Sequence, residues 1–315
     1  MISFQFSKIY IIQSLTPLHD TLSGSQLYRR LNDSVHVKDG SLKLELIDVA
    51  DRHEWNETMG RILRETKDGL LPLIDVEIHG SEDQDGLVLS NGDFISAKEL
   101  CDTLRPINEA SGCNLLLTLG VCRGLRWLFG LSTSQEMPFI GLVGSFLPLR
   151  EWGISDRYFA FYDTLLSTFS LADAVNALHG AVDDEETGKY IYFPVDELFY
   201  ISYWNTVQDV FRNREKRDSL AKNSINKEFK GLNRRARRQK RKLYITTERS
   251  RRDYNLRQRS DKFFMIDRYP GNARRFKRPK DMDELKQIVD GSLLKSLERK
   301  IRRQELETSL QETSK

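Results

Sequence analysis

Continuous apolar runs are the strongest constraint on this chain. L-L-P-L-I-D-V-E-I-H-G at 70–80 and C-N-L-L-L-T-L-G-V-C at 113–122 stay largely apolar at both odd and even positions. A strand with one wet face alternates polar and apolar residues, whereas a strand buried on both faces does not. Both runs therefore belong inside a sheet covered by helices. The covering elements lie in the neighbouring sequence. S-A-K-E-L-C-D-T-L-R-P at 96–106 opens with Ser96 and carries Glu99 three residues later, a capping box. D-R-H-E-W-N-E-T-M-G-R-I-L-R-E at 51–65 sets Trp55, Met59, Ile62 and Leu63 on one helical face.

The same alternation runs from the start of the chain. F-S-K-I-Y-I-I-Q-S-L at 6–15 and S-L-K-L-E-L-I-D-V-A at 41–50 predict strands, the second by its period of two. T-L-S-G-S-Q-L-Y-R-R-L at 21–31 predicts a short helix through Leu27, Tyr28 and Leu31. M-P-F-I-G-L-V-G-S-F at 137–146 predicts a further buried strand, and residues 156–178 a long helical stretch with a break near Ser170. The acidic segment 182–189 reads as an exposed loop, and the aromatic-rich segment 190–204 adds a strand and a short helix. Strands that alternate with helices predict an α/β domain over residues 1–205, a mostly parallel sheet flanked by helices.

Residues 206–315 have a different texture. Over 211–280 the chain carries 26 Lys+Arg against 7 Asp+Glu, a net of +19, which leaves 23 against 39, a net of −16, elsewhere. The expectation is a basic, mainly helical C-terminal region. Its last segment, 281–310, predicts an amphipathic helix weakened by Gly291. No run of about 18 apolar residues occurs, so no membrane span is expected. The N-terminal stretch lacks a basic region, a long apolar region and a cleavage site, so no signal peptide is expected. Three scattered cysteines, Cys101, Cys113 and Cys122, make no disulfide framework and suggest a reducing, cytoplasmic setting. The five histidines are scattered too, without C-x-x-C or H-x-x-x-H spacing, so no metal site is expected.

In parallel α/β sheets, reactive residues sit on loops at the carboxyl ends of strands. Two such ends carry complementary chemistry. The first delivers His79 and Gly80, and the second Cys122, with Gly124 two places on. An imidazole near neutral pKa serves as a base toward a thiol. Glycine lets a substrate approach a backbone N–H closely, so the amides of Gly80 and Cys122 are candidate oxyanion donors. Asp75 and Glu77 share a strand face with His79 and are candidates to orient its ring or to line a substrate pocket. The alternatives for these two acids are a strand end near solvent or pairing with arginines elsewhere. For Cys122 the alternative is a small buried hydrophobe. Cys101, inside a helix pattern, and Cys113, at a strand start, read as structural. His19, His36, His53 and His179 read as loop or surface residues, and His179-Gly180 follows a helix rather than a strand.

I-H-G followed by V-C-R-G resembles the caspase-like (clan CD) cysteine peptidases, which carry a histidine–glycine pair roughly 50 residues before Q-A-C-[RQG]-G. Here the spacing from His79 to Cys122 is 43 residues. The acidic, glycine-containing H-G-S-E-D-Q-D-G, and the order of elements after the cysteine, look like the metacaspase and bacterial CHAT-domain layout. The resemblance covers roughly residues 5–205 and implies a caspase-like fold. It also implies a cysteine endopeptidase with a Cys122–His79 dyad, a protein substrate and no cofactor. By analogy it implies a regulated protease of a bacterial defence or cell-death system. One departure matters. Caspases place glutamine two residues before the cysteine and metacaspases aspartate, each tied to substrate preference. This chain has Gly120, so neither preference carries over. A second reading, from a different class, is an inactive caspase-fold scaffold.

Clustered basic residues suit phosphate backbones, an acidic protein, or the acidic part of the same chain. The densest cluster, N-R-R-A-R-R-Q-K-R-K at 233–242, offers Arg234, Arg235, Arg237, Arg238, Lys240 and Arg241 as a binding patch. A regulatory protein or a nucleic acid is the partner expected through residues 211–280. No zinc-finger, RRM or KH signature accompanies it.

Overall fold

The computed structural model describes residues 4–16, 21–81, 85–121, 125, 128, 131–146, 153–181, 190–212, 219, 221–223, 225, 233–250 and 252–292. Two compact units emerge, one of residues 1–131 with 136–195, the other of 132–135 with 196–315.

The first unit is built on a mostly parallel sheet. β1 (Lys8–Ser14) pairs with β2 (Lys43–Asp48) on one side and β3 (Pro72–Gly80) on the other, both parallel. β6 (Leu116–Leu119) follows beside β3, and β7 (Gly141–Ser145) beside β6, again parallel. β8 (Tyr190–Pro194) closes the row antiparallel to β7, giving the order β2-β1-β3-β6-β7-β8. A small antiparallel extension, β4 (Gly86–Val88) and β5 (Phe94–Ser96), pairs onto the end of β3 at His79 and Gly80. The fully apolar runs are the inner strands: every residue of β1 and β6 is buried, whereas the alternating run forms edge strand β2, which stays half-exposed.

Helices flank the sheet. On one face, α1 (Ser23–Asn32) and α5 (Ile154–Thr168) share a core with Ile9, Ile11, Leu73 and Leu116. Between α1 and β2 lies the short α2 (Val35–Lys38). α3 (Arg52–Lys67) buries Trp55, Met59 and Ile62, while Leu63 is half-buried; Asp51 caps it by accepting from the Glu54 N–H. α4 (Ala97–Ala110) has the expected Ser96–Glu99 capping box. It continues through Pro106, which the sequence pattern placed near its end. Beyond the proline, Asn108 anchors it by donating to Met137 O at 3.0 Å and accepting from the Leu115 N–H at 3.1 Å. The long stretch after residue 153 does break: α5 ends at left-handed Phe169, and Ser170 caps α6 (Leu171–Gly180).

The second unit opens with α7 (Val195–Arg212), longer than the short helix expected there. Its aromatic residues explain the length. Phe199 packs against Phe263 and Phe264, with ring centroids 5.0 and 5.2 Å apart, and Phe264 stacks on Phe276 at 4.9 Å. Further helices are α8 (Arg234–Ser250), α9 (Arg252–Phe263), α10 (Asn272–Arg275) and α11 (Met282–Asp290). α11 stops at Gly291, its C-cap, and the expected continuation beyond Ser292 lies outside the described residues. No helix among the described residues is long and apolar enough to cross a membrane.

Candidate functional site

The connections of the sheet mark one edge. From β1 the chain moves outward to β2 and then returns past β1 to β3, so the winding direction reverses between β1 and β3. In open α/β sheets the crevice at such a reversal, outside the carboxyl ends of the strands, is where ligands bind. His79 and Gly80 end β3 at this edge. The strand is buried through Ile78, His79 is exposed and Gly80 half-exposed. Residue by residue, β3 therefore carries a packed body and an accessible imidazole tip.

β6 runs to the same edge. Val76 stands opposite Leu119, and the ladder continues through the Gly120 N–H to Val76 O at 2.9 Å. Val121 is fully buried, and the next residue, Cys122, lies outside the described residues. The other two cysteines are buried. Burial pushes the Cys101 thiol up to about 12, which suppresses its thiolate, and Cys113 is fully enclosed. His179 is held through Nε2 at 2.7 Å from Tyr190 O, away from β3 in the fold.

Beneath this edge lies an arrangement that the sequence did not announce. Asp75 and Glu77 are fully buried, and neither has a basic partner among the described residues. Asp75 Oδ2 accepts from Thr118 Oγ1 of β6 at 2.6 Å and from the Tyr162 hydroxyl of α5 at 2.7 Å. Glu77 Oε2 accepts from Ser23 Oγ of α1 at 2.6 Å. The remaining oxygens, Asp75 Oδ1 and Glu77 Oε1, meet no N–H or hydroxyl donor. The two side chains instead interact with each other. Two ionised carboxylates close together repel, which favours the protonated form. Burial is the first cause that pushes both above the ordinary carboxylate range, and for Glu77 the neighbouring Asp75 charge adds to it. Among the described residues, neither acid hydrogen-bonds to the His79 imidazole, neither pairs with an arginine, and neither reaches the surface.

Gly120 is part of the same arrangement. A Cβ at residue 120 would lie 2.1 Å from Glu77 Oε2 and 2.3 Å from its Cδ. The Glu77 carboxyl thus fills the space that any side chain at 120 would need. The strand leading to Cys122 and the strand carrying His79 fit together only because one has glycine where the other has a carboxyl. Tyr158 adds a second tie, donating its hydroxyl to Leu119 O at 2.7 Å. Ser23, Thr118, Tyr158 and Tyr162 are contributors that sequence reasoning missed. The available signal was two acids and a threonine inside otherwise apolar runs.

The basic patch lies on α8. Arg234, Arg235, Arg237, Arg238 and Lys240 are exposed and Arg241 is half-buried. No group of three or more His, Cys, Asp or Glu that could hold a metal occurs among the described residues. No protein-family model matches this chain, and neither does any curated protein sequence.

Proposed function

We propose that this chain is a caspase-like cysteine endopeptidase in which Cys122 is the nucleophile and His79 the base. The observation that carries the reading is the edge shared by β3 and β6. An exposed histidine ends β3 beside the switch point, and the adjacent parallel strand leads through Gly120 and Val121 directly into Cys122. A strand-end thiol next to a strand-end imidazole is the arrangement needed for nucleophilic acyl transfer.

The proposed chemistry has two halves. His79 takes the thiol proton as the sulfur attacks the scissile carbonyl carbon. The carbonyl oxygen becomes an oxyanion, held by the N–H groups of Gly80 and Cys122. As the C–N bond breaks, His79 returns the proton to the leaving amine, which departs and leaves a thioester. Water, deprotonated by His79, then cleaves the thioester and releases the acid and the free thiol. The buried Asp75–Glu77 pair acts below this site. It fixes the backbones of both strands rather than touching the substrate.

The test uses the full-length protein isolated with its cellular partners and a thiol-reactive peptide electrophile. Label is expected on Cys122, read by mass spectrometry, and not on buried Cys101 or Cys113. His79→Ala is expected to slow labelling at least about 10²-fold, the lower end of general-base effects. Label that misses Cys122, or proteolysis that survives Cys122→Ala, overturns the assignment and leaves the scaffold reading.

A further inference from the structure

α8 is charged in a way that its own stability does not explain. Its first turn carries Arg234 and Arg235 and no acid, although the amino end of a helix favours negative charge. Arg234 and Arg238 stand at i, i+4, as do Arg237 and Arg241, and like charges at that spacing oppose the helix. The helix forms nonetheless, started by Asn233, whose side chain accepts from the Ala236 N–H at 2.9 Å. The Arg234, Arg235, Arg237 and Arg238 side chains make no ion pair or hydrogen bond among the described residues, and all four are exposed.

The distribution of charge around the helix narrows the partner. At about 100° per residue, the cations of 234–242 run in order Lys240, Arg237, Arg241, Arg234, Arg238, Lys242, Arg235, and sweep about 220° of the circumference. Over residues 234–243 the remaining arc, of Ala236, Gln239 and Leu243, is neutral. A helix laid on a flat surface uses a stripe of about 100°. A flat acidic protein face would leave more than half of these cations unmatched. A membrane surface would in addition need a broad apolar face. A groove meets a helix from both flanks. The major groove of B-form DNA, about 12 Å wide, admits an α-helix between two rows of phosphates. The major groove of duplex RNA is too deep and narrow for this. Five of the seven basic residues in 234–242 are arginine, whose forked donors suit phosphate oxygens.

We infer that α8 binds double-stranded DNA by lying in its major groove, with arginines on the phosphates of both flanking strands. The contact is to the backbone and independent of base sequence.

The test uses the full-length protein and a fluorescent 20-bp DNA duplex of arbitrary sequence, with binding read by anisotropy across a salt series. Neutralising Arg234, Arg235, Arg237 and Arg238 to Gln together is expected to reduce the slope of log K against log salt by about 3 to 4, at about 0.9 per phosphate contact. Affinity at 100 mM salt is expected to fall at least about 10²-fold. The four Arg→Lys changes, which keep the charge, are expected to retain the slope. A duplex RNA of equal length and a polyglutamate are expected to bind at least about tenfold more weakly than the DNA. The inference is overturned by RNA or polyglutamate binding as tightly as DNA, by an unchanged slope in the Gln variant, or by no DNA binding at 50 mM salt. Cys122→Ala is expected to leave binding intact, so the outcome is independent of the peptidase reading.

Discussion

The amino and carboxyl ends of this sheet handle acidic side chains in opposite ways. Toward the amino end, Lys8 Nζ lies 2.7 Å from Glu45 and 2.8 Å from Glu65, and Arg61 lies 2.6 Å from Glu45. The Tyr10 hydroxyl donates to Glu65 at 2.6 Å. Burial alone would raise these two glutamates. The hydrogen bonds and charge of Lys8, with Arg61 beside them, outweigh it and hold both below the ordinary carboxylate value. Toward the carboxyl end, Asp75 and Glu77 have hydroxyl donors but no cation among the described residues, and burial pushes both up. One end is closed by ion pairs, the other by hydroxyl donors. A cation at the carboxyl end would bring charge to the edge where His79 stands; the hydroxyls of Thr118, Tyr162 and Ser23 tie β3 to its neighbours without doing so. The difference teaches that the edge where His79 stands is held by close fit and hydroxyl donors rather than by charge pairing among the described residues.

The largest effect is expected where that fit is tightest. Gly120→Ala drives a methyl group into the Glu77 carboxyl, and is expected to lower stability by about 3 kcal/mol, the upper part of the overpacking range. Urea unfolding measures it. The clash is specific, so truncating the other partner should relieve it. The double variant Gly120→Ala with Glu77→Ala is expected to be more stable than the sum of the single losses by more than about 1 kcal/mol. Strictly additive losses would mean that Glu77 is not what Gly120 accommodates.

At the opposite end, Lys8→Met strips the shared cation from Glu45 and Glu65 and leaves Arg61 alone with them. The expected loss is about 2 kcal/mol, less than the about 3–5 of a fully buried pair, because the glutamate side chains keep 29% exposure. A loss below about 0.5 kcal/mol, the scale of a neutral surface change, would show that the amino end does not depend on its ion pairs.

The two ends should also differ in the sign of their pH dependence. A carboxyl raised in the folded state keeps its proton there at a pH where the unfolded chain has released it. The folded state then binds more protons, and stability falls as pH rises above the ordinary carboxylate values. Glu77→Gln removes the proton but keeps the shape. It is expected to flatten the decline above the ordinary carboxylate range by up to about 1.4 kcal/mol per pH unit for one proton. The lowered glutamates act the other way. Their stabilisation is present above the ordinary value and is lost as pH falls through their folded values. Lys8→Met is therefore expected to flatten only the acid limb. Stability profiles of the two variants that bend in the same pH range would break the contrast.

Much of this sheet was legible beforehand. Period and run length separated edge strand β2 from inner strands β1, β3 and β6, because burial on one face or two is written directly into the alternation. The Ser96–Glu99 box and the break at Ser170 were legible because capping is local chemistry. His79 was placed at a strand end for the same reason. What stayed hidden was pairing across elements. Nothing local links Ser23 to Glu77, 54 residues apart, or Tyr162 to Asp75, 87 residues apart. Gly120 looked like a missing specificity residue. In the fold it is the space that the Glu77 carboxyl occupies, and only the register of β3 beside β6 reveals that. The length of α7 was hidden likewise, since its aromatic partners lie some sixty residues downstream.

α8 provides a third treatment of charge, and the smallest expected effect on stability. Among the described residues, its four exposed arginines have neither the pairing of the amino end nor the burial of the carboxyl end. Like-charge neighbours at i, i+4 each oppose an isolated helix by about 0.2–0.5 kcal/mol. Replacing Arg234, Arg235, Arg237 and Arg238 by Gln removes that repulsion and keeps good helix formers. The variant is therefore expected to be as stable as the parent or up to about 1 kcal/mol more stable, read from the unfolding midpoint. A clear loss would mean that these arginines support the fold through contacts of their own. A gain, together with lost DNA binding, would mark residues retained for a partner at the expense of the helix that carries them.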